Sequence, residues 1–277
     1  MICASKTGEA RSVFRTLMRV SQAVLRAIAV ALTILATVYT AYSASAQGLH
    51  SFPTLHVVAP PIIVIGFVGG IVRHDNRVHT EVQLAERLRK EYPLGVHVEA
   101  FENRRREDAR KIILDLLDAD HDGKLSDEEK RHARVILYGH SWGASAAVEL
   151  ARELQRDGIP VLLTAQVDSI SKMGINDGLI PGNVGKAINF YQPNGLLHGR
   201  PDIRASDPSH TQILGNYRYS YSQLPIECKA YPWYTRVFTK THTAIECDPR
   251  VWSQVESLIR EEIGSATTAQ APDAGAK

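Results

Sequence analysis

Residues 139–143, Gly-His-Ser-Trp-Gly, combine a possible nucleophile with the two glycines that a tight turn requires. A continuous apolar run at 135–138 precedes them, and apolar side chains recur at helical spacing between 144 and 154. This pattern predicts a buried strand, a turn and an amphipathic helix, with Ser141 held in a strained conformation at the turn. Such a serine attacks a carbonyl carbon once a neighbouring base removes its proton. The alternative interpretation is a strand-to-helix turn that merely contains a serine.

A second motif lies at 118–129, which reads Asp-Ala-Asp-His-Asp-Gly-Lys-Leu-Ser-Asp-Glu-Glu. It matches every defining position of the EF-hand type of calcium-binding loop, D-x-D-x-D-G-x-L-S-x-x-E. Carboxylates crowded around one turn repel one another unless a hard cation lies among them. The sequence therefore predicts one structural Ca²⁺ site, and a solvated acidic turn is the alternative. The predicted ligands are Asp118, Asp120, Asp122, the carbonyl group of Lys124, Ser126 and Glu129.

Composition and the two ends of the chain bound the class of protein. The 277 residues are 44% hydrophobic and 22% charged, and a net charge of +2 argues against a dedicated nucleic-acid-binding protein. An uncharged stretch from 27 to 46 follows three arginines and ends in Ala-Ser-Ala, which predicts a signal peptide over 1–46 and a secreted or periplasmic protein. An uncleaved N-terminal membrane anchor is the alternative. Residues 264–277 are small and polar and predict a disordered tail.

Two cysteines, Cys228 and Cys247, remain after the predicted signal peptide. An even number of cysteines in an exported chain favours a disulfide bond between them. Two buried free thiols are the alternative.

Strands and helices alternate between residues 47 and 263, which predicts one α/β domain with a mostly parallel sheet covered by helices on both faces. The segment 192–233 shows little periodicity, and so long an excursion predicts a lid or a binding loop. The predicted strands are 62–65, 96–101, 134–138, 160–167, 186–191 and 235–239, and the predicted helices include 78–91, 104–117 and about 249–263.

From about residue 56 to 263 the chain resembles the α/β-hydrolase family. The resemblance depends on the turn at 139–143, on the glycine-rich turn 66–70 (Gly-Phe-Val-Gly-Gly) after an earlier strand, and on a late histidine before the last helix. It implies the α/β-hydrolase fold, with a catalytic triad in the chain order serine, acid, histidine.

The resemblance also implies which histidine activates Ser141. His242 lies between the last predicted strand and the last predicted helix, which is the family's position for the base. The other candidates, His198 and His210, lie in the long aperiodic segment and are expected at the surface.

The acid and the oxyanion donors follow from the same resemblance. Asp168 ends the first strand after the nucleophile helix, where lipase-like members carry the acid, and Asp202 is the alternative. An oxyanion needs two preorganised N–H donors. The backbone of Trp142 is expected to supply one, and the backbone of Phe67 the other.

The leading hypothesis is an exported serine hydrolase, similar to esterases and lipases, that acts on small-molecule or lipid esters. The competing hypothesis is a catalytically inactive calcium-binding interaction protein on a hydrolase scaffold, since fold alone does not decide function. No nucleic-acid partner is expected, and membrane contact is expected only if the N-terminal segment is retained. The sequence carries no signal for an oligomeric state.

Overall fold

Six parallel strands form the central sheet of the computed structural model, which describes residues 60–223 and 226–270 and omits the side chains of 269 and 270. The predicted signal segment 1–46 lies outside the described residues. In space the strands follow the order β2-β1-β3-β4-β6-β8, and β5 pairs with β7 in a separate small sheet. In chain order the strands are β1 (Ile62–Val68), β2 (Val96–Glu102), β3 (Val135–His140), β4 (Val161–Val167), β5 (Leu179–Ile180), β6 (Val184–Tyr191), β7 (Arg204–Ala205) and β8 (Gln212–Arg218).

Helices cover both faces of the main sheet, as the buried clusters on its two sides show. In chain order they are α1 (Thr80–Glu91), α2 (Arg106–Leu117), α3 (Asp127–Arg131), α4 (Trp142–Asp157), α5 (Trp233–Phe238), α6 (Lys240–Glu246) and α7 (Pro249–Gln270). Apolar residues of α1 and α7 pack on one face, and those of α2 and α4 pack on the other. The predicted α/β fold class, a mostly parallel sheet between two helical layers, is confirmed.

The two central strands that lead to the predicted site are buried along their whole length. All seven residues of β1 and all six of β3 are shielded from solvent, which explains why both read as continuous apolar runs. The chain runs from β1 outward to β2 and then returns to the other side of β1, so β1 and β3 lie at the point where the strand order reverses. Ligands of open α/β sheets bind in the crevice beyond the carboxyl ends of such strands.

Two elements between residues 192 and 239 differ from the sequence prediction. The predicted strand 235–239 is instead helix α5, whose Val237 and Phe238 side chains are 62% and 67% exposed. These residues read as a strand because they are apolar, but they do not enter the sheet. Conversely, β8 lies inside the segment expected to be aperiodic. It is an edge strand with no buried residue and therefore carries no alternating apolar signal.

The last helix is longer than predicted. It continues to Gln270, whereas the sequence indicated a disordered tail from 264. Ala266 packs in the core, and the hydroxyl groups of Thr267 and Thr268 donate to the carbonyl oxygens of Ile263 and Gly264. Small polar residues thus extend the helix here, and the remainder of the predicted tail, 271–277, lies outside the described residues. Within the part of the chain that is described, no helix is long and apolar enough to cross a membrane.

The predicted disulfide bond between Cys228 and Cys247 is present, with a Cα–Cα distance of 6.0 Å. It joins the segment before α5 to Cys247, which directly follows the last residue of α6. The bond therefore encloses both short helices in one covalent loop.

We expect the double variant Cys228→Ser, Cys247→Ser to lose about 3 kcal/mol of unfolding free energy, because the bond restricts a loop of roughly 20 residues in the unfolded chain. Urea unfolding measures the loss. Reductant should bring the wild-type protein to the same stability and should leave the variant unaffected. Equal stability of the oxidised wild type and the variant would show that the bond contributes nothing.

Candidate active site

Ser141 occupies the sharp turn between β3 and α4. Its backbone has φ 58° and ψ −127°, a conformation that side chains rarely adopt. The turn is this tight because α4 begins directly against β1, where a Cβ atom at Gly143 would collide with the carbonyl group of Phe67. A Cβ atom at Gly139 would collide with the backbone of Gly143. The two glycines of the motif are therefore steric requirements of the turn, as the sequence predicted.

Three residues from separate elements meet at this turn. The Oγ atom of Ser141 lies 2.9 Å from Nε2 of His242, and Nδ1 of His242 lies 2.6 Å from Oδ2 of Asp168. All three side chains are buried, so the two hydrogen bonds lie in a region of low dielectric. The arrangement lets the imidazole accept the serine proton while the carboxylate holds the ring in the required tautomer. The fold therefore brings the sequence-predicted serine, acid and histidine together.

The Asp168 carboxylate is held by the start of the long segment. Its Oδ1 atom accepts the backbone N–H groups of Gln192, at 3.0 Å, and of Gly199, at 2.8 Å. Its Oδ2 atom accepts the side-chain amide of Gln192 at 2.8 Å. Sequence reasoning missed both residues, because nothing in the local pattern at 192–199 indicates that these groups turn back toward β4.

The alternative acid and bases lie elsewhere. Asp202 lines a separate polar cavity with Arg200 and Arg204. His210 forms an exposed pair with Asp207 (Nδ1 to Oδ2, 2.7 Å), and His198 is exposed. None of them contacts Ser141.

His242 lies inside helix α6 rather than after a strand. The sequence placed it correctly in chain order but on the wrong kind of element, because 235–239 was interpreted as a strand. On the helix, His242 and Glu246 are one turn apart, and both lie on the buried side.

Of the two residues expected to donate to the oxyanion, Trp142 borders the cavity above Ser141 and Phe67 does not. Trp142 is the first residue of α4, where helix geometry provides no intrahelical acceptor for its N–H group, and it borders the same cavity as Ser141. Phe67 does not border this cavity: it lies inside β1, paired with Phe101 and Gly139, and its ring packs in the core. The expectation for Phe67 is therefore wrong, because β1 continues to Val68 and the turn begins later.

A cavity of about 840 Å³ opens above Ser141 and His242. Gly69, Gly70 and Ile71, which follow β1, form one wall of this cavity. Apolar side chains dominate the entrance, and several are well exposed. They include Ile71 (85%), Trp142 (36%), Leu197 (37%) and Tyr234 (52%).

Beneath the triad lies a group that sequence reasoning did not identify: His79, Glu81, His140 and Glu246, called here the His/Glu cluster. Burial, followed by the neighbouring Glu246 charge, raises the pKa of Glu81 well above its usual range. Burial raises the pKa of Glu246 to about 7. Burial and, second, the proximity of His242 lower the pKa of His140, so this imidazole is neutral. Its ring lies against that of His242, with centroids 4.5 Å apart.

The acidic motif forms the connection between α2 and α3. Carboxylate oxygens of Asp118, Asp120 and Glu129 lie within 4.8 Å of one another, close enough to share one ion. Asp122 accepts the backbone N–H of Lys124, and Ser126 caps α3 through a reciprocal hydrogen-bonded arrangement with Glu129. The carboxylates at the first, third and twelfth positions of the loop thus fit a Ca²⁺ ion.

No family model matches the chain, and no curated protein matches it. Solved structures similar in fold include RedJ with a PEG molecule bound in its active site, at 11% identity over 68% of this chain and 90% of that chain, with a TM-score of 0.33. A protein of the alpha/beta superfamily from Xanthomonas campestris pv. campestris matches at 13% identity over 66% and 95%, with a TM-score of 0.31. A dienelactone hydrolase-like promiscuous phosphotriesterase from metagenomic libraries matches at 17% identity over 73% and 87%, with a TM-score of 0.32. At these identities the likeness concerns the fold alone.

We expect Gly199→Ala to slow the labelling of Ser141 by a fluorophosphonate about 100-fold, the scale of a small misplacement of catalytic groups. An added Cβ atom would overlap Oδ1 of Asp168 and displace the carboxylate from His242. The labelling rate and the melting temperature are measured together. Gly264→Ala is the matched control, since nothing lies within 4 Å of its added Cβ atom. Wild-type labelling in a folded Gly199→Ala protein would exclude this role for Gly199.

Proposed function

We propose that the protein is a serine hydrolase that cleaves carboxylic esters by acyl transfer through Ser141, similar to esterases and lipases. The observation that carries this proposal is the continuous hydrogen-bonded chain from Ser141 through His242 to Asp168. A serine hydroxyl is a weak nucleophile until a base within hydrogen-bond reach takes its proton. Nε2 of His242 is within that reach in the unliganded site.

In the first half of the reaction, Ser141 Oγ attacks the ester carbonyl carbon while Nε2 of His242 takes its proton. The resulting oxyanion accepts the N–H of Trp142 and a second N–H from the 69–71 turn. The carbon–oxygen bond to the alcohol then breaks, and His242 returns the proton to the departing alkoxide. In the second half, His242 deprotonates a water that attacks the acyl-serine. The bond between the acyl carbon and Ser141 Oγ then breaks, His242 returns the proton to Oγ, and the carboxylic acid is released. Asp168 stabilises the imidazolium in both halves.

The cavity entrance favours an ester with an apolar acyl chain. Helix α5 presents Trp233, Tyr234, Val237 and Phe238 to solvent, each more than half exposed. Contiguous exposed apolar surface marks a binding site more often than an ordinary surface. A small-molecule or lipid ester would place its carbonyl group at Ser141 and its chain along this surface.

The proposal includes a structural Ca²⁺ ion in the loop at 118–129. Asp118, Asp120 and Glu129 would hold it with their carboxylates, together with Asp122, Ser126 and the Lys124 carbonyl group. The ion would fix the connection between α2 and α3, which precedes β3 and hence Ser141. The catalytic steps themselves need no group from this loop.

Export to an oxidising compartment is part of the same proposal. A disulfide bond persists outside the reducing cytosol, and the bond between Cys228 and Cys247 supports a secreted or periplasmic location. Extracellular calcium levels would also keep a weak loop site filled.

The competing function, a calcium-binding interaction protein without activity, is disfavoured by the strained turn at Ser141. Such backbone strain costs about 1–3 kcal/mol and persists where the surrounding structure enforces it, most often at functional sites. A scaffold without catalysis gains nothing from holding a serine at φ 58° beside a buried histidine.

We expect Ser141→Ala and His242→Ala each to reduce ester hydrolysis about 10⁴-fold or more, because each removes an essential part of the triad. Esters of increasing acyl length are assayed, and a fluorophosphonate probe reports the nucleophile. His210→Ala is the control, since its ring is exposed and, among the described residues, hydrogen-bonds to Ser209 and Asp207 rather than to the triad. Labelling that persists in Ser141→Ala would refute the nucleophile, and equal loss in His210→Ala would refute the base.

We expect removal of calcium by a chelator to lower the melting temperature, since an ion at a hundredfold excess over its Kd adds about 2.7 kcal/mol to stability. Activity should fall with it, and added Ca²⁺ should restore both. Glu129→Gln should abolish the response to the chelator, whereas Glu128→Gln, one residue away and outside the predicted ligand set, should keep it. If the chelator left the melting temperature of the wild-type protein unchanged, the loop would be an acidic turn that binds no ion.

A further inference from the structure

The His/Glu cluster (His79, Glu81, His140 and Glu246) lies at the floor of the cavity and is built from three separate elements. His79 and Glu81 lie at the start of α1, His140 ends β3, and Glu246 ends α6. Ligand atoms of His79, Glu81 and Glu246 all lie within 4.8 Å of one another. Nδ1 of His140 lies beside the two carboxyl groups, at 3.5 Å from Oε2 of Glu246 and 3.8 Å from Oε1 of Glu81.

The polar atoms of this cluster are buried and largely unpaired. Glu81 is fully buried, and neither of its carboxylate oxygens has a hydrogen-bond partner in the described part of the chain. His140 is 2% exposed, and neither of its ring nitrogens has a partner there. Unpaired buried polar groups are rare and costly in folded proteins, and a bound ion is one way in which such groups are satisfied.

No strongly basic side chain of the described residues faces the two carboxyl groups of the cluster. Among the described residues the ion-pair partners of Glu81 and Glu246 are histidines alone: His140 for both, and His79, at 2.5 Å, for Glu246. No lysine or arginine of the described ranges reaches either carboxylate. Two buried carboxyl groups this close cannot both be ionised unless a cation lies between them.

We propose that the His/Glu cluster is a binding site for a divalent transition-metal cation of the Zn²⁺ type. Imidazole nitrogens together with carboxylate oxygens form a donor set that suits zinc better than calcium or magnesium. With metal–ligand distances of about 2.0–2.2 Å, neighbouring ligands of a tetrahedral ion lie about 3.3–3.6 Å apart. The 3.5 and 3.8 Å separations from His140 are close to that spacing, whereas the 2.5 Å hydrogen bond between Nδ1 of His79 and Oε1 of Glu246 would lengthen when an ion replaces its proton. The cation would displace the proton between His79 and Glu246 and supply the missing positive charge.

The bound cation would position the catalytic base. Glu246 and His242 belong to the same short helix, one turn apart, and His140 lies against the ring of His242. A cation that joins Glu246 to α1 and to the end of β3 would hold α6 against the sheet. This proposal does not depend on ester hydrolysis, because metal binding is measured without substrate.

The test uses tag-free purified protein in excess Ca²⁺, so that the acidic loop does not compete. Bound zinc is removed with a chelator that binds metals through pyridine nitrogens. The binding of added Zn²⁺ is then measured by isothermal titration calorimetry. Metal content of the untreated protein is measured by mass spectrometry. We expect one Zn²⁺ per chain, and binding at least 100-fold weaker in Glu246→Gln and in His79→Gln. Co²⁺ in place of Zn²⁺ should give the visible absorption bands of a tetrahedral site.

Two matched variants separate this site from others. Glu99→Gln removes a carboxylate from another histidine–glutamate pair, with His97, and should bind Zn²⁺ as the wild type does. Glu129→Gln disables the calcium loop and should also retain Zn²⁺. His79 is partly exposed, so His79→Gln tests the site if Glu246→Gln fails to fold. No Zn²⁺ binding by the wild type, or equal binding by a folded His79→Gln protein, would overturn the proposal and leave a proton-sharing network.

Discussion

The close approach between the first turn of α4 and the end of β1 is the constraint on which the rest of the site depends. Gly143 lies so near the carbonyl group of Phe67 that no side chain fits between them. Because the helix must start there, β3 has to reverse direction within one residue, and Ser141 takes a positive φ. The strain costs on the order of 1–3 kcal/mol. It is offset by the buried apolar residues of β1, β3 and α4 on both sides of the turn.

The buried Asp168 carboxylate, the proposed catalytic acid, imposes a second constraint, which organises the loops. The Asp168 carboxylate is fully buried and accepts hydrogen bonds from His242, from two groups of Gln192 and from the backbone of Gly199. A buried charge is stable only when it is well paired. The same carboxylate that orients the base therefore also fixes the segment 192–199 over the carboxyl end of β4. Loss of the carboxylate would leave the N–H groups of Gln192 and Gly199 without an acceptor, and loss of those donors would leave the carboxylate without enough hydrogen bonds.

Local signals in the sequence predicted the centre of the fold well. The continuous apolar runs indicated β1 and β3, and the helical spacing after Ser141 indicated α4, because these features depend on neighbours in the chain. Two predictions failed for the same physical reason, the strand expected at 235–239 and the absence of any strand expected where β8 lies. In α5 the apolar residues are exposed, and their pattern was mistaken for that of a buried strand. In β8 no residue is buried, so its sequence shows no alternation of apolar side chains. In both elements the apolar pattern does not follow burial.

Parts of the site that depend on distant contacts were predicted only through chain order, or not at all. His242 was found by its place before the last helix, although the element carrying it was misjudged. Phe67 was assigned from a glycine-rich stretch whose turn begins two residues later, beyond Val68. The His/Glu cluster has no spacing signal, because its members come from residues 79–81, 140 and 246.

The alternation of side chains along β3 links Ser141 to the His/Glu cluster. Consecutive residues of a strand point to opposite faces, so the strand that delivers Ser141 to the cavity sends His140 toward α1 and α6. His140 then lies against His242, with ring centroids 4.5 Å apart. Burial, followed by the proximity of His242, lowers the pKa of His140, so the ring is neutral and its nitrogens can accept a hydrogen bond or bind a cation. Through the ring of His140, the strand that leads to Ser141 therefore also connects His242 to the His/Glu cluster.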